Sequence, residues 1–459
     1  MPTASSETAT RAIVISDLHL GGSVSPMSTN TDLLADFLET LPSNLLDDEK
    51  LELIIAGDFI DFLAIPPNKA WTGDAVEAVQ KLRNTINDPR FTKVFSSLAR
   101  LVSCGVYLTI LLGNHDTELV LPPVQDEFLR DINAMSHQVS FIDDGRAYRV
   151  GRALIEHGNR YDGANVNDYD GLRSIASALS RNEGSPVDLE ISAGSQIVEK
   201  VVYAIHHRYP FINLLQPEGE LTALLLLAFE PMLRWHIDKL ALLLRGGRRR
   251  FDNPDGRQPP KSHNVAYSHL EERDEELANA FGPVYDELRN PPNNVGFLDA
   301  ARDWGKILLK PQDDGLSSIL VRGDSVPEDR LEQIRVAMSR ILLDDRSQQP
   351  DGPTEQYGAA AKRLISASQG SVQTVVMGHT HQARHIGKPQ HASYINTGTW
   401  ADVIRVPHQV LEKGRSTELE TWLRRLKEGQ GRIQVPSFAD LRVEANGDVS
   451  MASLRVFGA

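Results

Sequence analysis

Gln373-Thr374-Val375-Val376-Met377-Gly378-His379-Thr380-His381 is the stretch that decides how this chain is read. Its first five residues form a short apolar run of strand type. Gly378 then lets the backbone turn sharply, so that the side chains after it converge on one point. Two histidines two positions apart can serve two different metal ions. The same rhythm, a buried-type strand handing over to Asp, Asn or His, recurs four times upstream.

Arg11–Ser16 runs into Asp17-Leu18-His19. Positions i and i+2 share a face at a strand end, so this Asp and His can bind one cation. Leu51–Ala56 ends in Gly57-Asp58-Phe59-Ile60-Asp61. A carboxylate at a strand terminus beside Gly can reach two ions and bridge them, as dinuclear sites do at about 3.5–4 Å. Asp58 is the expected bridge, and Asp61 is better placed to orient an imidazole. After helical patterns near Asp74–Asn87 and Phe91–Ser103, Val106–Leu112 leads into Gly113-Asn114-His115-Asp116. There an amide oxygen can be a neutral ligand while the adjacent histidine acts as proton donor or electrostatic clamp. Arg152–Glu156 leads into His157-Gly158-Asn159.

Taken in order, Asp17-x-His19, Gly57-Asp58-x-x-Asp61, Gly113-Asn114-His115-Asp116, His157-Gly158 and Gly378-His379-x-His381 resemble the motifs of the calcineurin-like metallophosphoesterases. The resemblance implies an α/β fold, a four-layer α/β/β/α sandwich with metals on loops at the C-terminal ends of strands. Carried over residue by residue, it implies Asp17, His19, Asp58 and His381 on one metal. Asp58, Asn114, His157 and His379 then hold the other. It makes His115 the catalytic imidazole, held by Asp61, and a metal-bridging hydroxide the nucleophile. The cofactors implied are two divalent ions, Mn, Fe, Zn or Mg, with manganese foremost. Tyr394–Trp400, containing Asn396-Thr397-Gly398, fits a strand and turn that support this loop. Asp402–Val406 and Phe438–Phe457, the latter with an Asn446-Gly447 turn signal, are expected to finish the second sheet.

The chain has 459 residues, 41% hydrophobic and 24% charged, in the range of a water-soluble globular protein. A net charge of −14 gives no strong signal for polymeric nucleic acid. Cys104 is the only cysteine, and the small polar N-terminus lacks an apolar signal core, so the expected location is cytoplasmic. Residues 1–160 and 365–459 are read as the metallophosphoesterase core, with 161–364 as a mainly helical insertion, or cap. Helical spacing marks Asn167–Arg181, Leu189–His207 and Pro327–Asp344, and Glu218–Arg245 is the most apolar stretch of the chain. The apolar run before Pro231 is too short for a transmembrane span. It suits a buried helix pair, a subunit contact in a homo-oligomer, or peripheral membrane contact. Arg248, Arg249 and Arg250 follow it and form a candidate anion-binding cluster for substrate.

The function expected is hydrolysis of a phosphodiester or phosphoanhydride in a small or lipid-linked phosphorylated substrate. Two alternatives are a phosphomonoesterase and a cyclic-nucleotide phosphodiesterase or nuclease; a non-catalytic scaffold of the same fold is a third. Gly57–Phe62 and His157–Asp162 also resemble UDP-2,3-diacylglucosamine pyrophosphohydrolases. This chain departs from that branch at His115, where those enzymes have Arg, at Asn159, where they have Asp, and in its longer insertion.

Overall fold

The computed structural model describes residues 10–22, 26–44, 50–163, 165–183, 189–203, 206, 208–216, 220–229, 315–344, 356–387 and 392–458. The part of Glu218–Arg245 beyond Phe229, Arg248–Arg250 and the rest of residues 246–314 lie outside them. So do residues 345–355.

Two sheets carry the site. The first orders its strands β13-β12-β1-β2-β3-β4, and the second β5-β6-β8-β10-β9. In the first, β1 (Thr10–Ile15), β2 (Lys50–Ala56), β3 (Tyr107–Leu111) and β4 (Val139–Ile142) are parallel. In the second, β6 (Ala153–Ile155), β8 (Thr374–Met377) and β10 (Ser393–Thr397) are parallel, flanked by antiparallel β5 (Tyr148–Val150) and β9 (Ala383–Gly387).

Strand periodicity explains the layering. Ile13, Ile15, Leu53 and Ile55 face outward onto α1 (Thr31–Thr40), α2 (Ala75–Ile86), α3 (Thr92–Ser103), α4 (Pro122–Asp131) and α5 (Tyr169–Ser180). Their neighbours Ala12, Val14, Ile54 and Ala56 face inward and meet Ile155, Val376 and Ile395 of the second sheet. On the far face Val375, Met377 and Tyr394 pack on Tyr357, Ala360 and Ala361. The order is helix, sheet, sheet, helix, the sandwich expected. Asp74 caps α2 by accepting from the amides of Val76 and Glu77, and Asp168 caps α5.

A further apolar core gathers Tyr209, Phe211 and Leu214 with α7 (Glu220–Phe229), α8 (Leu316–Val321) and α9 (Glu328–Asp344). It also takes in Ala401, Ile404 and Trp422 and Leu423 of α11 (Ser416–Lys427), so the C-terminal segment shares in it. The helix α10 (Gln356–Ala367), which carries Tyr357, Ala360 and Ala361, leads back into β8.

Three expectations need correction. The hairpin β12 (Ser437–Val443) and β13 (Val449–Val456) joins the first sheet, with β12 antiparallel to β1, not the second. Buried Asp440 supplies the reason: it pairs with Arg11 of β1 at 2.9 Å and with Arg455 of β13 at 3.3 Å, and a buried carboxylate needs such partners. Likewise β11 (Ile404–Arg405) belongs to neither large sheet but pairs in parallel with β7 (Leu215–Gln216). The continuous α-helix expected over Leu189–His207 is instead a short α6 (Ala193–Ile197) that widens into a π turn, Val198–Val202.

Candidate metal centre

Each parallel strand of the two sheets that was expected to carry a ligand delivers it at its C-terminal end. The loops are stitched by backbone bonds: Asp17 N donates to Gly57 O at 3.0 Å, His19 N to Asp58 O at 2.9 Å, and Gly378 N to His157 O at 2.8 Å. Asp116 ties two more together, accepting from Gly113 N at 2.6 Å and Phe59 N at 2.8 Å. Asn396 and Thr399 hold the remaining carbonyls. The Asn396 amide donates to Gly378 O at 2.7 Å and the Thr399 hydroxyl to Asp17 O at 2.8 Å.

Glycines here make room. A Cβ on Gly378 would overlap Ser16 Oγ and Asp17 Oδ2, and one on Gly113 would overlap the Asp58 carboxylate. Gly378 does not have a positive φ, so close approach, rather than turning freedom, demands it. The left-handed positions are the candidate ligands themselves. Asp17, His19, Asp58, His379 and His381 have φ between 46° and 70°, five of the nine such non-glycine residues described. Strain concentrated this way is a mark of a functional site.

All the side chains named from the sequence converge, apart from the three arginines outside the described residues. Asp17, His19 and His381 offer ligand atoms within 4.8 Å of one another, as do Asp58, His157 and His379. His381 Nε2 lies 3.2 Å from Asp17 Oδ1 and 3.1 Å from His19 Nε2. Asp58 Oδ2 stands between the two groups, 3.2 Å from His157 Nε2 and 3.7 Å from His19 Nε2. Asn114 Oδ1 is 3.2 Å from the same His157 nitrogen. His157 donates its Nδ1 proton to Ala56 O at 2.8 Å, which turns Nε2 inward. His115 donates from Nδ1 to Asp61 Oδ1 at 3.0 Å, and Asp61 also accepts from Ala64 N at 3.2 Å.

The electrostatics are those of a cation site. Burial works against ionising Asp58, yet His157, His115 and His19 hold its carboxyl well below the ordinary range. Asp17 is lowered despite burial, mainly by His381. Burial would deprotonate His157, but Asp58 and Asp17 push it up to about 9. Asp116 goes the other way, raised to about 7 by burial and by the charge of Asp58. The ion pairs of Asp17, Asp58 and Asp61 run to imidazoles. His19 Nδ1 is buried without a hydrogen-bond partner, its nearest carboxylate oxygen being Asp61 Oδ2 at 3.7 Å. Ring nitrogens of His19 and His381 turned toward one another need a proton or a metal between them, and carboxylate, imidazole and amide donors suit a hard to borderline divalent ion. These residues therefore fit two divalent metals.

Sequence reasoning missed three neighbours. Asp162 Oδ2 lies 3.2 Å from His379 Nε2. The Tyr203 hydroxyl, just after the π turn, is 3.5 Å from Asp61 Oδ2, and Gln216 Nε2 donates to His381 O at 2.9 Å. Only Asp162, five residues after His157, lay near a motif. Tyr203 and Gln216 reach the site through tertiary folding alone.

Residues 10–231 match the family model described as calcineurin-like phosphoesterase. That stretch is a calcineurin-like phosphoesterase domain, and it supports a metal-dependent phosphoric ester hydrolase. The matched stretch ends before His379 and His381, which the fold returns to the site. A search of curated proteins finds no significant match.

Proposed function

We propose that the protein hydrolyses a phosphodiester or phosphoanhydride, with His115 as general acid and Asp61 as the group that holds it. The supporting observation is the pairing of His115 Nδ1 with Asp61 Oδ1 at 3.0 Å beside the two ligand groups. The side chain of His115 is 17% exposed, close to the 18% of His381 and above the 1% of His19 and His157, so it stands on the open side of the site. With Nδ1 bonded to Asp61, the ring's other nitrogen is the one assigned to the leaving oxygen in this reading.

Asp17, His19, Asp58 and His381 would hold one ion, and Asp58, Asn114, His157 and His379 the other. Bound there, two divalent ions would neutralise phosphoryl oxygens and supply an activated nucleophile at neutral pH. Manganese in a cytoplasmic setting is our reading, suited to the mixed donor set and to a lone Cys104. No helix among the described residues is long and apolar enough to cross a membrane.

Residues 161–364 are read as the cap that selects the substrate. Tyr203 and Gln216 support this, since both belong to that range and both touch site residues. Arg248, Arg249 and Arg250 remain the candidate anion cluster of the cap. Replacing all three by Ala is expected to weaken a native substrate and to spare a small aryl phosphodiester.

The test is a panel of aryl phosphomonoesters, aryl phosphodiesters, cyclic nucleotides and nucleotide-sugar pyrophosphates on metal-reconstituted protein. Turnover of diesters or pyrophosphates well above monoesters is expected. Turnover confined to monoesters would contradict it.

A further inference from the structure

His379 and His157 share one half of the site, their rings 5.2 Å apart, but they are held by opposite nitrogens. His157 is bonded through Nδ1 to Ala56 O. His379 is bonded through Nε2 to Asp162 Oδ2 at 3.2 Å, with both side chains buried. Asp162 is itself fixed. Asn165 donates to the same Oδ2 at 2.8 Å, and its backbone amide donates to Asp162 O at 2.9 Å. The main chain of His379 is pinned from the other side, its amide donating to Asp17 Oδ2 at 2.9 Å.

A carboxylate can only accept, so the ring atom facing it must carry the proton. A neutral imidazole has one proton, and placing it on Nε2 leaves the lone pair on Nδ1. We infer that Asp162 is a positioning residue that fixes His379 in the Nε2–H form and so presents Nδ1 to the metal. The inference rests on the proposed metal reading. One short turn, His157–Asp162, then supplies a ligand and orients a second, and the negative charge of Asp162 makes His379 a stronger donor. Loss of such a partner typically weakens metal affinity by about 10–100-fold.

The experiment uses the full chain and manganese or zinc as the probe, with dissociation constants from competition with a chelating dye. Asp162→Ala should weaken one of the two ions about 10–100-fold and leave the other unchanged. Asp162→Asn should recover most of that loss, because an amide oxygen still accepts from Nε2–H. Long-range ¹⁵N–¹H spectra of histidine-labelled wild-type protein should show His379 protonated on Nε2 when metal is bound, an outcome independent of how any variant folds. Unchanged affinities in Asp162→Ala, or a metal-bound His379 protonated on Nδ1, would overturn this inference alone. Wild-type protein that takes up no metal would overturn the metal reading and this inference with it.

Discussion

Asp61 Oδ1 accepts the Nδ1 proton of His115 at 3.0 Å, closer than the 3.7 Å from its other oxygen to His19 Nδ1. Burial opposes the ionised form of Asp61, but His115 and then His19 hold its carboxyl below the ordinary value. The pair is thus a buried carboxylate behind a more exposed imidazole, which suits the general acid proposed above. His115→Ala should keep its metals and lose about 10²–10⁴ in rate with an alkyl leaving group, the range of acid catalysis. With p-nitrophenolate, which needs no proton, the loss should shrink. Equal losses on both would leave only electrostatic stabilisation.

Asp58 lies between the two ligand groups, and its Oδ1 also receives the amide of His115 at 2.9 Å. Asp58→Asn should therefore lower metal content and abolish turnover together. Metal analysis beside a rate assay checks it; a variant with two ions and a near-normal rate would sink the bridging role.

Tyr203 tests whether the proposed cap acts on the chemistry. Removing its hydroxyl in Tyr203→Phe takes one donor from Asp61, so kcat should fall about 3–10-fold, with KM for a small aryl diester and metal content unchanged. An unaltered kcat would make the contact incidental.

Glu118 sets a pH dependence away from the metals. It is buried, accepts from Thr72 N at 2.9 Å, and is raised by burial to about 7, with Lys81 opposing the rise. The folded chain then keeps a proton that the unfolded chain loses from its ordinary value of 4.5 upward. Stability from this group is present below 4.5 and falls as pH rises toward 7, by at most about 1.4 kcal/mol per pH unit. In Glu118→Gln the slope between pH 5 and 7 should be shallower than in the wild type, as read by urea unfolding. Parallel curves would refute the shift.

Much of this was legible in the sequence because it is local. Strand runs such as Arg11–Ser16 and Leu51–Ala56 end where the candidate ligands begin, and the motifs Asp17-x-His19 and Gly378-His379-x-His381 bring their side chains into the candidate ligand groups. Pairing across the chain was not legible. The Asn446-Gly447 turn specifies a hairpin but not its neighbour, which the Arg11–Asp440 ion pair decides over more than four hundred residues. Gln216 and Tyr203 gave no signal for the same reason. Nothing in their own windows points at His381 or Asp61.

The most direct measurement is metal stoichiometry against rate. Chelator-stripped protein is titrated with manganese while bound metal and hydrolysis of bis-p-nitrophenyl phosphate are followed together. The account predicts no rate without metal, a rise that levels at two ions per chain, and fewer ions in Asp58→Asn. Full hydrolysis by the stripped protein, or a rate that saturates at one ion and ignores Asp58→Asn, would contradict it.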